Sequence, residues 1–215
     1  MKPENKVWYR PEWIAFLLSC ILLAGSSCQQ VNEKRESNQV VVNKHLQEGY
    51  ERSTNYSRMY DRFVIEAGKE RNRNIADLFA ALARSEGIRA TNHAKLLLAR
   101  GIQPAIPQAA VVAVGNVRQM LKMAMSSENI QYYDLYPTAL KAALAEKDTA
   151  AIAEFQASDQ LDERHRELIN EAINQLERNP KAVYSICDRC GYIFTSGQKT
   201  ECPICQKFKA LYGKV

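Results

Sequence analysis

Near the C-terminus the stretch "CDRCGYIFTSGQKTECPIC" places two residues between Cys187 and Cys190, and repeats that spacing at Cys202 and Cys205. Two such pairs offer four thiolates to one tetrahedral ion, and a segment this short cannot hold itself together by apolar burial alone. Thiolate ligation does not by itself separate iron from zinc. Two disulfides are a further alternative for a chain that meets an oxidising compartment. A second constellation lies upstream. "SEGIR" pairs Glu86 with Arg89, "SENIQ" pairs Glu128 with Gln131, and "DERH" pairs Asp162 with His165. Each step of three residues keeps both side chains on one helix face. A carboxylate three residues before an imidazole is the element from which helical bundles build metal sites. Taken alone, Glu86 and Arg89 read as a surface ion pair; aligned with the other two pairs, they read as inward-facing. His45 and His93 read as ordinary bundle or surface histidines, and Tyr132–Tyr133 as packing.

Such residues need helices to position them. The chain has 215 residues, 46% of them apolar and 25% charged, which suffices for one good core and a small satellite module. From about Val42, Leu46, Tyr50, Tyr56, Tyr60, Phe63 and Val64 recur near a 3.6-residue period, and Ile75, Leu78, Phe79, Leu82, Ile88 and Leu96 do the same. Asn74 is the expected N-cap of this second helix and Gly101 follows its last turn. "GIQPAIPQ" is a loop. A third helical region runs from about Val111 to Ala145, with a kink or break expected at Pro137. A fourth runs from Asp148 to Arg178 and ends at Asn179–Pro180. The expected fold is mainly α: a four-helix bundle over 42–180, with Ser53 of its first helix level with the three pairs, followed by a four-cysteine module over 181–215.

The N-terminal segment has another character. Lys2, Lys6 and Arg10 precede the apolar run "IAFLLSCILLAG", which is too short to span a membrane comfortably but suits an export signal. The run meets "GSSCQQ" and resembles a bacterial lipoprotein signal over 1–27, with Cys28 as the lipidated residue; cleavage at Cys20 is the alternative. Residues 28–41 are polar and read as a tether. The expected location is outside the cytoplasm, on a membrane, held by lipid. The formal net charge of +5 is scattered among few aromatics, which speaks against a nucleic-acid partner.

A ferritin-like bundle followed by a rubredoxin-like module resembles the rubrerythrin family. "CGY" and "CPIC" resemble the two rubredoxin knuckles. "LFAALARSEGIRATNHAKLL" is similar to the family pattern E-x-I-H-A-x-N-H, and "ENIQYYDLYP" to E-x-x-E-x-x-x-x-Y-P. Tyr60 and Tyr136 match the two tyrosines that flank the family's metal ligands. The resemblance implies iron in the module, a di-iron centre in the bundle, peroxide reduction, and a homodimer in which one chain's module approaches the other's bundle. This chain departs from the pattern at the ligands. Ser53 and Gln131 stand where the family has Glu, Arg89 where it has His, and Asp162 where it has Glu.

Glu86, Glu128, Asp162 and His165 thus form the expected residual site, for zero or one metal ion. Charge supports that count. Three carboxylates total −3 and Arg89 supplies +1, so one divalent ion with neutral His165 gives zero; without metal, a protonated His165 and one carboxyl proton do the same. The expected function is electron transfer through a four-cysteine iron site (zinc being the other candidate), with peroxidase activity at the bundle weakened or lost and an electron donor the sequence does not identify. The alternatives are an active peroxide reductase with a single- or mixed-metal site, and a non-enzymatic zinc-ribbon interaction protein.

Overall fold

The computed structural model describes residues 12–109, 114–178, 180–195, 201–206 and 212–214, with side chains from Gln39 onward except at 212–214. The expected leader, Cys28 and most of the tether lie outside the residues whose side chains are described. The chain divides into Met1–Val40 and Val41–Val215, and the second unit carries the sites. Among the described residues, no helix is long and apolar enough to cross a membrane.

Four long helical stretches make the bundle: α1 (Glu12–Lys69), α2 (Arg73–Ala99), α3 (Val117–Ile130) continued by α4 (Tyr136–Glu146), and α5 (Thr149–Asn174). The apolar period gives the first helix only from Val42. The helical backbone from Glu12 has a simple cause in 29–39, "QQVNEKRESNQ", which holds no Gly or Pro and is rich in good helix formers. Two expected boundaries move. Asn72, not Asn74, caps α2, and α3 starts at Val117. There the Asn116 side chain accepts from the Gln119 N–H at 3.0 Å while Gln119 Oε1 accepts from the Asn116 N–H at 2.9 Å, a reciprocal cap that satisfies two helix-end donors. α5 ends at Asn174, four residues short of Arg178. Asp148 caps its start, accepting from the Ala151 N–H at 3.1 Å.

The break expected at Pro137 takes the form of a π-helical turn over Gln131–Leu135, after which Pro137 sits in the first turn of α4. Proline has no N–H to lose there. The wider turn lets Glu128, Gln131, Leu135 and Tyr136 all face inward.

The core falls into two apolar clusters. One gathers Tyr60, Phe63, Phe79, Leu82, Met120, Ala124 and Leu168; the rings of Tyr60, Phe63 and Phe79 contact each other at centroid distances of 5.1 to 6.2 Å. The other gathers Val42, Leu46, Leu97, Tyr136, Ala139 and Phe155. Between them every helical stretch contributes fully buried polar residues: Ser53 from α1, Glu86 and Arg89 from α2, Glu128 and Gln131 from α3 and its π-turn, Asp162 and His165 from α5. The two apolar layers hold that polar layer at one level of the bundle.

The C-terminal module is a three-stranded antiparallel sheet in the order β2 (Ile193–Thr195), β1 (Tyr184–Cys187), β3 (Tyr212–Lys214), with Ile186 opposite Ile193 and Cys187 opposite Tyr212. It rests on α2 and α5 of the same chain. Asn92 Nδ2 donates to the Arg189 carbonyl at 3.0 Å and Arg164 Nε to the Ile193 carbonyl at 3.0 Å.

Candidate metal centres

The four cysteines converge as expected, all four Sγ atoms lying within 4.8 Å of one another. Cys187 and Cys205 Sγ are 3.4 Å apart, as are Cys190 and Cys202. Both separations far exceed a disulfide bond and suit four ligands around one ion. Gly191 N–H bonds back to the Cys187 carbonyl and Gln206 N–H to the Cys202 carbonyl, both at 2.8 Å. Gly191 and Gln206 occupy the left-handed region, with φ of 90° and 56°, so the two C-x-x-C segments close in the same way. Backbone N–H groups of Cys190 and Arg189 point at the Cys187 sulfur, that of Tyr192 at Cys190, and those of Cys205 and Ile204 at Cys202. Hydrogen bonds from neighbouring thiols and these N–H groups pull Cys187 far below the usual thiol range. Their proximity pushes Cys190 up, and Cys202 up to about 11. A cluster that ionises one thiol readily and resists the next is one that a cation completes.

In the polar layer the ligand atoms of Glu86, Glu128, Asp162 and His165 also lie within 4.8 Å of one another, and all four residues are fully buried. Arg89 lies among them. Its Nη2 and Nε fork onto the two Glu86 oxygens, its Nη1 pairs with Asp162 Oδ1, and the remaining contacts run to Ser53 Oγ at 3.1 Å and the Ser158 carbonyl at 3.2 Å. The Glu86–Arg89 pair is therefore an interior feature. Ser53, where the family pattern has a carboxylate, supports the guanidinium. Gln131 Nε2 donates to Glu86 Oε1 at 3.3 Å.

The other half of the layer is oriented differently. Tyr60 donates to Glu128 Oε1 at 2.6 Å, leaving Oε2 turned toward His165 Nδ1 at 3.1 Å. His165 Nδ1 is 3.6 Å from Glu86 Oε1, and its Nε2 is 2.8 Å from Ser85 Oγ. Ser85 gives its own proton to the Gly191 carbonyl at 2.7 Å. It must therefore accept from Nε2–H, which leaves Nδ1 as the nitrogen aimed at the carboxylates. Asp162 Oδ2 is buried with no hydrogen-bond partner.

The protonation states follow from these contacts. Burial opposes charge on Glu86, but Arg89 and then His165 outweigh it and hold the carboxyl at about 2. Burial raises Asp162 well above the usual carboxylate range; Glu128 and Glu86 add to this, and Arg89 does not offset it. Burial works against a charged His165, yet Glu128 and Glu86 lift it to about 9. Near neutral pH the metal-free layer sets two cations, Arg89 and the His165 imidazolium, among the carboxyl groups of Glu86, Glu128 and Asp162.

The donor set forms one convergent group of metal-ligating atoms and fits a divalent ion. Glu128 Oε2, His165 Nδ1, the unpartnered Asp162 Oδ2 and Glu86 Oε1 can converge on a single cation. The Arg89 guanidinium occupies both Glu86 oxygens and Asp162 Oδ1 in the same layer.

No protein-family model matches the chain. Rubrerythrin-2 of Clostridium acetobutylicum is 29% identical over 153 residues, covering 67% of this chain and 83% of that one. Rubrerythrin-1 of the same organism is 25% identical over 156 residues, covering 68% and 80%. The comparisons support the rubrerythrin family. Structures of nigerythrin in the mixed-valence and fully reduced, all-ferrous states superpose with TM-scores of 0.74 and 0.75 at 22% and 23% identity, over 81% of this chain and 86% of theirs. They show the fold: a mainly helical bundle with a C-terminal four-cysteine cluster.

Of the residues expected to flank the ligands, Tyr60 does so directly. Tyr136 instead pairs with His93, its hydroxyl 3.1 Å from His93 Nε2, and lies under Arg89, whose Cζ is 5.3 Å from the ring centroid. Tyr132 and Tyr133 pack on Arg166 at 4.3 and 4.8 Å. The sequence reading missed Ser85 and Gly191. The signal was faint: a hydroxyl one residue before Glu86, and a Gly after the second cysteine whose added Cβ would lie 2.9 Å from the Ser85 carbonyl oxygen.

Proposed function

We propose that this chain is a non-haem iron redox protein of rubrerythrin type, with electron transfer centred on Cys187, Cys190, Cys202 and Cys205, and with peroxide reduction at the bundle weakened or lost. The bundle holds at most one divalent ion, through Glu86, Glu128, Asp162 and His165. The observation that carries this reading is the Arg89 guanidinium, forked onto Glu86 and paired with Asp162 where a second cation would sit. The rubrerythrin relatives and the thiolate cluster support the redox half. When bound, iron supplies a one-electron couple at the thiolates, and a lone ion in the bundle supplies Lewis acidity and one electron at a time. Reductive cleavage of an O–O bond needs two electrons, which a single-ion bundle does not hold together.

The protein's own groups have clear tasks. Backbone N–H groups at the knuckles stabilise thiolate charge. Tyr60 fixes Glu128, and Ser85 fixes the His165 ring. The same Ser85 touches Gly191, so the bundle site and the cysteine module share a short hydrogen-bonded link. The leader-like sequence over 1–27 supports export and lipid anchoring at Cys28, and with them an electron donor outside the cytoplasm; loss of membrane association in Cys28→Ala tests that part.

Elemental analysis of the wild type beside a variant with all four module cysteines changed to Ser counts the two sites separately. The expected result is iron that disappears with the cysteines, and no more than one ion per bundle. One zinc and no iron overturns the redox reading, and two bundle ions overturn the role given to Arg89. Restoring Ser53→Glu, Arg89→His and Gln131→Glu together is expected to raise bundle iron and to speed oxidation of the reduced protein by peroxide.

A further inference from the structure

Lys and Arg are spread along the whole chain, but their surplus is not. Residues 42–180 hold eighteen Lys and Arg and eighteen Asp and Glu, so the bundle has no formal charge. Residues 181–215 hold six against two: Lys181, Arg189, Lys199, Lys207, Lys209 and Lys214 are offset only by Asp188 and Glu201. The four-cysteine module thus carries +4 of the formal +5. Four thiolates around ferric or ferrous iron subtract one or two charges, and the loaded module stays positive.

The structure sets part of this charge beside the sulfurs. Cys187, Cys190 and Cys202 are buried, and Cys205 is half-buried. Cys190 and Cys205 line a cleft of about 620 Å³ formed by the module with α2 and α5. Lys95 of α2 and Arg189 of the module, both exposed, line it as well. Leu96, Ala153 and Ile204 give it apolar wall. Its acidic groups are Asp188 and Glu154. Burial raises Glu154 to about 8, with Arg89 and Lys95 opposing, so this carboxyl carries little charge near neutral pH. The approach to the thiolates is therefore positive.

We propose that this cleft is the docking site of an acidic one-electron donor protein, whose carboxylates pair with Lys95 and Arg189 and bring its redox centre to the Cys205 edge. The proposal rests on the redox reading above and names the kind of donor that reading requires. One electron passes from the reduced donor to ferric iron at the thiolates, which becomes ferrous; no bond forms or breaks and no proton moves. Complementary charge gathers such a partner and orients it before it touches. An anionic membrane is drawn to the same charge, but a flat layer of headgroups does not enter a concave cleft, whereas a convex acidic loop does.

The test uses the full chain. With iron in the module, the reduced protein is oxidised in a stopped-flow cell by anionic ferricyanide or by cationic tris(phenanthroline)cobalt(III). Raising the salt from about 0.01 M to about 0.1 M shortens the screening length from about 30 Å to about 10 Å. Ferricyanide is expected to slow and the cobalt complex to speed up. Lys95→Glu/Arg189→Glu is expected to cut the low-salt ferricyanide rate at least about 10-fold, the low end for charge steering, and to raise the cobalt rate, with thiolate absorption retained. A changed iron potential moves both oxidants the same way, so the opposed response identifies charge. Lys122→Glu/Lys141→Glu, equal in charge change and outside the cleft, is expected to leave both rates near wild type. Reversed salt slopes in the wild type, or equal effects of the two double variants, overturn the site.

A zinc-loaded chain gives a readout without electron transfer. A dansyl-labelled deca-glutamate peptide is expected to bind the wild type at low salt and Lys95→Glu/Arg189→Glu at least about 10-fold more weakly. Phosphatidylglycerol vesicles that carry down the wild type but not this variant, with no peptide bound, overturn the protein partner in favour of a membrane. If the chain as isolated shows no iron–thiolate absorption, the redox reading falls on that result. The peptide arm then decides the docking surface, and equal binding to both double variants overturns it.

Discussion

Arg89 on α2 and Asp162 on α5, 73 residues apart in sequence, meet as a fully buried ion pair in which Nη1 bonds Oδ1. The same guanidinium forks onto Glu86. Arg89 stays protonated in any environment this layer offers, so it acts as a fixed cation among acidic groups. Changing Arg89 to Met keeps most of the volume and removes the charge. It leaves Glu86 and Asp162 short of a partner, and breaking such a buried pair costs about 3–5 kcal/mol. The expected outcome is a lower urea midpoint for the metal-free variant, partly recovered by saturating Zn²⁺. A variant as stable as wild type without metal would show that the fork contributes little.

Metal loading of the bundle is expected to expel protons. Without metal, burial and the charges of Glu128 and Glu86 push Asp162 up against the pull of Arg89, and His165 is an imidazolium because Glu128 and Glu86 outweigh its burial and hold it at about 9. Ligation requires a neutral imidazole, so a divalent ion entering at pH 7 releases at least the His165 proton, about one per ion. Calorimetry of Zn²⁺ binding in buffers of different ionisation enthalpy measures this number. A chain whose module is already loaded isolates the bundle, and His165→Gln is expected to release one proton fewer. Release of no protons would contradict these states.

How much of this layer was legible in sequence depended on the kind of constraint. The four cysteines announced themselves because chemistry fixes both residue type and spacing. The Glu86, Glu128 and Asp162–His165 set was visible as repeated three-residue steps, and resemblance to a family supplied the reason to align them. Sequence gave no depth for Arg89, because the same Glu–Arg step serves on a surface and in a core. Only the packing of Tyr60, Phe63 and Phe79 on one side and Leu97, Tyr136 and Phe155 on the other settles that. The π-turn at Gln131–Leu135 was legible as a disturbance at Pro137, not in its form. Lys95 and Arg189 were invisible as a pair, since neither has a motif and they are joined only by the docking of the module on α2.

The stability of the metal-free bundle is expected to depend on pH through His165. Its folded-state value, about 9, lies above the ordinary 6.5. A group raised on folding stabilises the fold fully below its unfolded value, and that contribution is lost as pH rises through the folded one. The loss therefore spans roughly pH 6.5 to 9 and amounts to about 3 kcal/mol at about 1.4 kcal/mol per unit. Glu86, lowered to about 2, acts oppositely: its contribution is present above about 4.5 and lost as pH falls toward 2. Urea midpoints of metal-free protein, measured from pH 6 to 9.5, check the alkaline limb. A His165→Gln variant should flatten it, and an unchanged slope would place the titration elsewhere.

Ser85 joins the two sites, and its removal should disturb both in a recognisable order. The hydroxyl accepts from His165 Nε2–H at 2.8 Å and donates to the Gly191 carbonyl at 2.7 Å, all within the buried interior. Ser85→Ala strips one partner from each, leaving an imidazole N–H and a carbonyl without a bond, at about 1–3 kcal/mol apiece. Loss of the contact that orients a ligating His typically lowers metal affinity 10–100-fold, so the bundle ion should weaken by that factor. The thiolate site should keep its metal, because its four ligands and knuckle N–H groups are untouched. Gly191→Ala tests the link from the other side. The backbone there has φ of 90°, and a Cβ would stand 2.9 Å from the Ser85 carbonyl oxygen. Strain and clash together should lift the module from α2. Faster proteolysis of the segment before Tyr184 would report that lift, with the four-cysteine absorption retained. Equal metal affinity in Ser85→Ala and wild type would show that packing alone orients His165.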